Sequence, residues 1–242
     1  NMMDTDGSRV RKFRIGDRAK GAPLLQPGPH SFDGAYTKMT IDWKGYKLQV
    51  ESAAMGLKNV ILIRPLAETK KGGRLVVIPE SLWKRGNTLS VDSLGFTLAS
   101  RDKVVEIKTY IEGELLEKKG REFILSLDTP VAICCGENME LDEAIAFIND
   151  RARDFINSNQ KQFGENYDCY NAMQSVLAWD NIYDPGIRRV ITPVSRIWSS
   201  EWFASEDFGG FTLFCWDTYF ASMMLSVGNK ELAYANAVEI TK

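Results

Sequence analysis

The hydrophobic period of this chain changes once, at Gly136, and that change limits the folds open to it. From Tyr36 to Cys135 the apolar residues fall in short runs (KMTIDW, YKLQVESAA, NVILIRPL, RLVVIPE, GFTLAS, VVEIKTYIEG, EFILSL and VAICC) punctuated by Gly, Pro, Asn or Asp. Turn signals at intervals of roughly 8–12 residues are those of an antiparallel sandwich or barrel. VVEIKTYIEG alternates, with Val105, Ile107, Thr109 and Ile111 on one face, whereas NVILIRPL is apolar throughout and reads as an inner strand. After Gly136 the period becomes helical. ELDEAIAFINDRARDFINSN puts Leu141, Ala144, Ile145, Ile148, Ala152, Phe155 and Ile156 on one stripe, with Asn138 as N-cap and acids in the first turn. Further helices are expected from Tyr167 to Trp179, closing at the YDPG turn, and from near Thr212–Asp217 to Val227, with Gly228 as the stop.

The final segment, NKELAYANAVEITK, is helical from an N-cap at Asn229 and reaches Lys242 with no terminator. That pattern predicts a helical domain of which only the first helices are present. Charge divides at the same place. Residues 1–133 carry 22 Lys/Arg against 16 Asp/Glu, and residues 134–242 carry 8 against 16. The expected organisation is a β-sandwich domain over 1–136, a linker helix over 137–164, and a truncated helical domain over 165–242.

A formal net charge of -2 gives no general attraction to nucleic acid, and no apolar stretch reaches membrane-spanning length, so neither is an expected partner. Cys134, Cys135, Cys169 and Cys215 form neither a disulfide framework nor a metal-ligand spacing. The adjacent pair ends a strand, which predicts one buried thiol and one half exposed. With His30 the only histidine, in PGPH, a histidine-based triad or multi-histidine metal site is not expected. No metal or cofactor is expected.

Chemistry concentrates in residues 192–220, TPVSRIWSSEWFASEDFGGFTLFCWDTYF. Nine aromatics (Trp198, Trp202, Phe203, Phe208, Phe211, Phe214, Trp216, Tyr219, Phe220) fall within twenty-three residues, beside Arg196 and Asp217. Pyranose faces stack on flat rings, and hydroxyls need directed partners such as guanidinium and carboxylate. An acid among rings is also placed to lose hydration, which raises its pKa towards that of a general acid.

These residues carry a resemblance. ITPVSRIWSSEWF, then GGFTLFCWDTYFASMM and ELAYAN, resembles the start of the catalytic domain in glycoside hydrolase family 63. That family comprises the processing α-glucosidases (mannosyl-oligosaccharide glucosidases) and bacterial relatives, and is more distantly similar to trehalases. The motif likeness covers about residues 165–242, whereas residues 36–135 match in architecture only. The resemblance implies an antiparallel β-sandwich followed by the first helices of an incomplete α/α toroid, and inverting hydrolysis of α-linked oligosaccharides. In an inverting site one carboxylic acid protonates the leaving oxygen and a second carboxylate activates water from the opposite face. Asp217 matches the family's general acid. Arg196, Trp198, Trp202, Phe208, Gly210 and Trp216 match positions that shape the sugar pocket. The family's general base is a glutamate far downstream and has no counterpart in this sequence. The implied partners are an oligosaccharide substrate and the missing C-terminal part of the domain.

Plainer readings stand beside these. Asp217 could cap its helix or pair with an arginine, Arg196 could pair with a buried carboxylate, and Trp198 and Trp202 could pack rather than stack on sugar. Phe214 is expected to pack, and Gly209–Gly210 is either a turn or a close approach to ligand. Glu201, Glu206 and Asp207 are placed on the same wall as Asp217. Asp180 and Asp184 read as helix-end and turn residues, RVRKFR (Arg9–Arg14) as a solvated run, and Lys70–Gly73 as a hairpin tip. The alternative functions are a non-catalytic carbohydrate-binding module or scaffold, with the sandwich as its working part, and the acid-bearing subunit of a two-chain glycosidase.

Overall fold

In the computed structural model the described residues are 1–10, 13, 15, 19–80, 86–100, 105–184, 189–192 and 213–241. Thirteen strands come first: β1 (Met2–Met3), β2 (Arg9–Val10), β3 (Leu24–His30), β4 (Tyr36–Trp43), β5 (Tyr46–Met55), β6 (Lys58–Pro65), β7 (Arg74–Val77), β8 (Gly86–Val91), β9 (Gly95–Ser100), β10 (Glu106–Glu112), β11 (Leu115–Lys119), β12 (Glu122–Ser126) and β13 (Val131–Cys135). Helices α1 (Leu141–Phe163) and α2 (Tyr167–Ala178) follow, then the strand pair β14 (Ile182–Asp184) and β15 (Arg189–Ile191), α3 (Cys215–Leu225) and α4 (Lys230–Glu239). The chain forms two compact units, residues 1–28 with 35–156 and residues 29–34 with 157–242.

The first unit contains two antiparallel sheets. The smaller runs β11-β12-β7-β1-β2, the larger β3-β4-β5-β6-β13-β10-β9-β8. Their facing sides share one core, with Met2, Leu75, Phe123 and Leu125 from the smaller sheet and Trp43, Tyr46, Leu48, Ile63, Ile111 and Val131 from the larger. Strand alternation then decides what the outer side of the larger sheet carries. On β6, Ile61 and Ile63 enter the sandwich core, while Val60 and Leu62 face outward and are fully buried beneath Ala144 and Ile148 of α1. The strand is apolar throughout because both of its faces are covered. β6 lies between β5 and β13, the inner position expected of NVILIRPL.

Hairpin β4–β5 closes through Lys44 and Gly45, both at positive φ (53° and 85°), the geometry of a type I′ turn. A lysine in this region costs about 1 kcal/mol. Its side chain finds compensating partners: the ammonium lies 3.2 Å from an oxygen of Asp4 and donates to Ser8 Oγ at 2.6 Å. Asp4 is the buried hub of this corner, accepting also from the Tyr46 hydroxyl (2.6 Å), Lys70 Nζ (2.8 Å) and the Thr5 amide (2.7 Å). Lys70, and above all its hydrogen bond, holds the Asp4 carboxyl far below the usual carboxylate range, with Tyr46 next.

Four expectations need correction. α1 begins at Leu141, so Asn138 is not its N-cap; the Glu143 carboxylate instead accepts from the Glu140 amide at 3.0 Å, satisfying an orphan donor of the first turn. On β10 only Thr109 and Ile111 are buried, while Val105 (outside the strand) and Ile107 on the same expected face are exposed. Residues 70–73 connect strands of different sheets, β6 and β7, so they are not a hairpin tip. Tyr183 and Asp184 belong to β14, paired with Val190 and Arg189 of β15, so Asp184 is a strand residue rather than a turn residue. As expected, Cys134 is buried and Cys135 half-buried.

The second unit holds residues 157–163 of α1, all of α2, β14–β15, α3 and α4. Leu177, Ala221, Leu225 and Ala233 form its small apolar core, with Phe32, Met173 and Leu232 against it. Asn159 donates to Gln174 at 3.1 Å, a buried tie from α1 to α2. Tyr170 stacks on Phe163 at 3.5 Å and packs so closely on Gly228 that a Cβ there would strike its hydroxyl. Asn229 caps α4 as expected, accepting from the Leu232 amide at 3.0 Å. No described helix is long and apolar enough to cross a membrane.

Candidate functional site

Phe214 lies in extended backbone (φ -96°, ψ 126°) and α3 starts at the next residue, which places Trp216 and Asp217 in its first turn. Here the free backbone N–H groups of the helix favour a carboxylate over a neutral side chain. Helical spacing then separates two faces. Thr218, Ala221, Ser222 and Leu225 are buried, whereas Trp216, Phe220 and Met223 follow one another along the exposed face. Trp216 is 74% exposed and meets the Phe220 ring edge-on, with centroids 5.4 Å apart. Asp217 is half-buried, at the border between the two faces. An acid and an exposed indole are thus consecutive in the first turn of α3.

The exposed side of α3 continues into a groove against α4. Its volume is about 520 Å³, and Tyr219, Ser222, Met223, Ser226, Lys230 and Tyr234 contribute to its lining. Rings, hydroxyls and one ammonium make a surface that is apolar in area and polar at points, the usual composition of a small-molecule site. Lys230, Tyr234 and Ser226 were not among the sequence candidates. Tyr234 carried the available signal, a large ring among small residues in LAYANA.

Asn236 is the other residue that sequence reasoning missed. It is fully buried on α4, accepts from the Thr192 amide at 2.8 Å and donates to the Leu232 carbonyl at 3.1 Å. Thr192 is the first residue of the aromatic segment, and its hydroxyl donates to Asn181 at 2.7 Å. One side chain thus anchors the root of that segment to the helix packed against α3. An Asn in an otherwise small and apolar helical run was the only sequence hint of this.

Among the other sequence candidates, Arg196, Trp198, Trp202, Phe208 and Gly210 lie outside the described residues, as do Glu201, Glu206 and Asp207. Of the proposed site residues, α3 brings together Trp216 and Asp217. The chain matches no known family model, no curated protein and no solved structure. His30 packs edge-on against Trp179 at 4.7 Å, with Nδ1 2.7 Å from the Ser31 carbonyl oxygen. Burial holds its pKa below the ordinary value. Asp180 follows the end of α2, its amide bonded to the Leu177 carbonyl, as a helix-end residue does. Among the described residues no three His, Cys, Asp or Glu side chains group as metal ligands.

Proposed function

We propose that the chain is the N-terminal portion of an inverting glycoside hydrolase similar to family 63, acting on α-glucosidic or related α-linked oligosaccharides. The observation that carries this reading is the Trp216–Asp217 pair within GGFTLFCWDTYFASMM, an acid in the first turn of a helix beside a tryptophan face open to solvent. Asp217 serves as general acid, protonating the glycosidic oxygen as the C–O bond breaks. Trp216 supplies a stacking face, and Arg196, Trp198, Trp202, Phe208 and Gly210 complete the sugar pocket. The exposed apolar side chains of α3 and α4 (Phe220, Met223, Tyr234 and Val238 among them) support membership of a larger helical ring, as in an α/α toroid.

An inverting reaction needs a second carboxylate roughly 6.5–9.5 Å from the acid, across the substrate. The resemblance assigns that base to a later part of the toroid that no residue here matches. This chain alone is therefore expected not to turn over substrate. The test compares hydrolysis of an aryl α-glucoside by this chain and by a protein extended through a complete toroid. Activity is expected only in the extended protein, and Asp217→Asn should abolish it while sugar binding persists. Turnover by the chain alone, or an Asp217→Asn enzyme of undiminished rate, would overturn the proposal.

A further inference from the structure

The outer face of the larger sheet is divided. Toward the Tyr36 end, Tyr36, Ala53, Val60 and Leu62 are buried under α1. Toward the other end the same face carries Thr40 and Asp42 on β4, paired across the ladder with Gln49 and Lys47 on β5. This half is not a flat solvated surface. Leu24 of β3 and Leu66, just after β6, stand beside Gln26, Thr40, Asp42 and Lys47 and bound a cleft of about 250 Å³.

Two features distinguish the cleft from an ordinary polar sheet face. First, its polar groups face one another without pairing. Asp42 and Lys47 are direct cross-strand partners, a position where opposite charges usually join. Lys47 Nζ turns instead to Glu68 at 3.5 Å. Among the described residues the side chains of Gln26, Thr40 and Asp42 make no hydrogen bond or ion pair. Secondly, a hydrogen-bond network on the same sheet face adjoins the cleft. Gln49 donates to the buried Glu51 at 2.7 Å, and Glu51 also accepts from the Tyr36 hydroxyl at 2.6 Å and from Arg64. The network fixes the strand face on which Thr40 and Lys47 stand, which is the preorganisation a binding site needs.

We propose that this cleft binds a single neutral sugar ring. Each hydroxyl of a pyranose both donates and accepts. Asp42 accepts, Lys47 and the Gln26 amide donate, and Thr40 does either. Leu24 and Leu66 offer apolar walls to the C–H edges of the ring. With Lys47 shared by Glu68 and Asp42 opposite it, the cleft has no excess positive charge and disfavours an anion. A free amino acid fits less well, because Glu68 already shares the lysine that its carboxylate would require. A phosphate group would meet Asp42. The site is in the sandwich unit and does not depend on Asp217.

The test is an amide chemical-shift titration of the full chain with methyl α-glucoside and methyl α-mannoside, with glycine and inorganic phosphate as comparison probes. Saturable shifts are expected at Thr40, Asp42 and Lys47, with a dissociation constant on the order of 1–10 mM for at least one glycoside. Asp42→Ala and Thr40→Val should each weaken binding about tenfold, and Lys47→Met serves if either fails to fold. The proposal is overturned if neither glycoside saturates, if glycine or phosphate binds more tightly, or if the β4–β5 variants bind as the parent does. Saturable shifts found only in α3 and α4 would move the sugar to the helical unit and overturn it too. Failure of the hydrolase reading would appear only as absent turnover in the extended protein.

Discussion

In the sandwich unit the two buried carboxylates among the described residues, Asp4 and Glu51, are each ringed by donors, and side chains such as Phe123, Leu62 and Val131 are wholly withdrawn from solvent. The helical unit treats its polar atoms differently. Asn171 Oδ1, Ser175 Oγ, Asn181 Nδ2 and Thr218 Oγ1 are buried without a hydrogen-bond partner among the described residues, while Trp216, Met223 and Tyr234 extend into solvent. Unmade hydrogen bonds and uncovered rings are each unfavourable, and natural domains keep both few. The contrast teaches that the sandwich stabilises itself through its own residues, whereas the helices hold surface and polar capacity that their own packing does not use. Part of that reserve, Trp216, Thr218 and Met223, is on the same helix as the acid proposed as catalytic.

Mutations can break the comparison directly. The largest effect is expected from Phe123→Ala, at about 3–5 kcal/mol in urea unfolding, against less than about 0.5 kcal/mol for the exposed Met223→Ala. Equal losses would mean the helical face is covered after all. Glu51→Leu comes next, at about 1–3 kcal/mol, because Tyr36, Gln49 and Arg64 lose their common acceptor. Asn236→Leu should cost about 1–2 kcal/mol and leave the Thr192 amide unsatisfied. Amide hydrogen exchange should report that loss in α3, α4 and Thr192 while β5 and β6 stay protected; spreading into the sheets would erase the distinction between the units.

The smallest effects concern thiols. Burial pushes the Cys134 thiol up to about 11, so the folded state keeps a proton that the unfolded chain releases from about pH 8.5. Its contribution to stability is complete below that unfolded value and declines as pH rises through the folded one. A Cys134→Ala variant should show a flatter alkaline limb in thermal melts. Cys169 and Cys215 are exposed, and a thiol reagent should modify both in the native protein while sparing Cys134 until unfolding. Rapid native labelling of Cys134 would mean that the sandwich core opens readily.

The inner strands were legible because the physics that forms them is local. β4, β5, β6, β9, β12 and β13 combine turn residues with apolar runs, and α1 repeats its apolar stripe over 23 residues. The strands missed lack such a signature. β1 and β2 have two residues each, β3 contains PGP, and β11 is LLEKK with four of its five residues exposed. At sheet margins a strand is recruited by its neighbour rather than by its own pattern. The start of α3 at Cys215 falls within the expected Thr212–Asp217. The anchoring by Asn236 was not legible, because it joins residues 44 positions apart in the chain. The cleft of β3–β6 was equally invisible, since its lining residues become neighbours only through strand register.

The pairing of β1 with β7 has a consequence for solution behaviour. Met2 and Met3 lie along Leu75 and Arg74, and β2 shields the far side. Without this pair, Leu75 and Val76 would sit on an open strand margin able to recruit another chain. Asp4 acts as the latch on that cover. Its depressed pKa keeps the latch charged at neutral pH; its contribution begins to decline as pH falls below the unfolded value of about 3.9 and is lost only through the far lower folded one. Acid should therefore produce intermolecular strand pairing, visible by light scattering, before the sandwich core dissolves, and Asp4→Asn should bring that self-association closer to neutral pH.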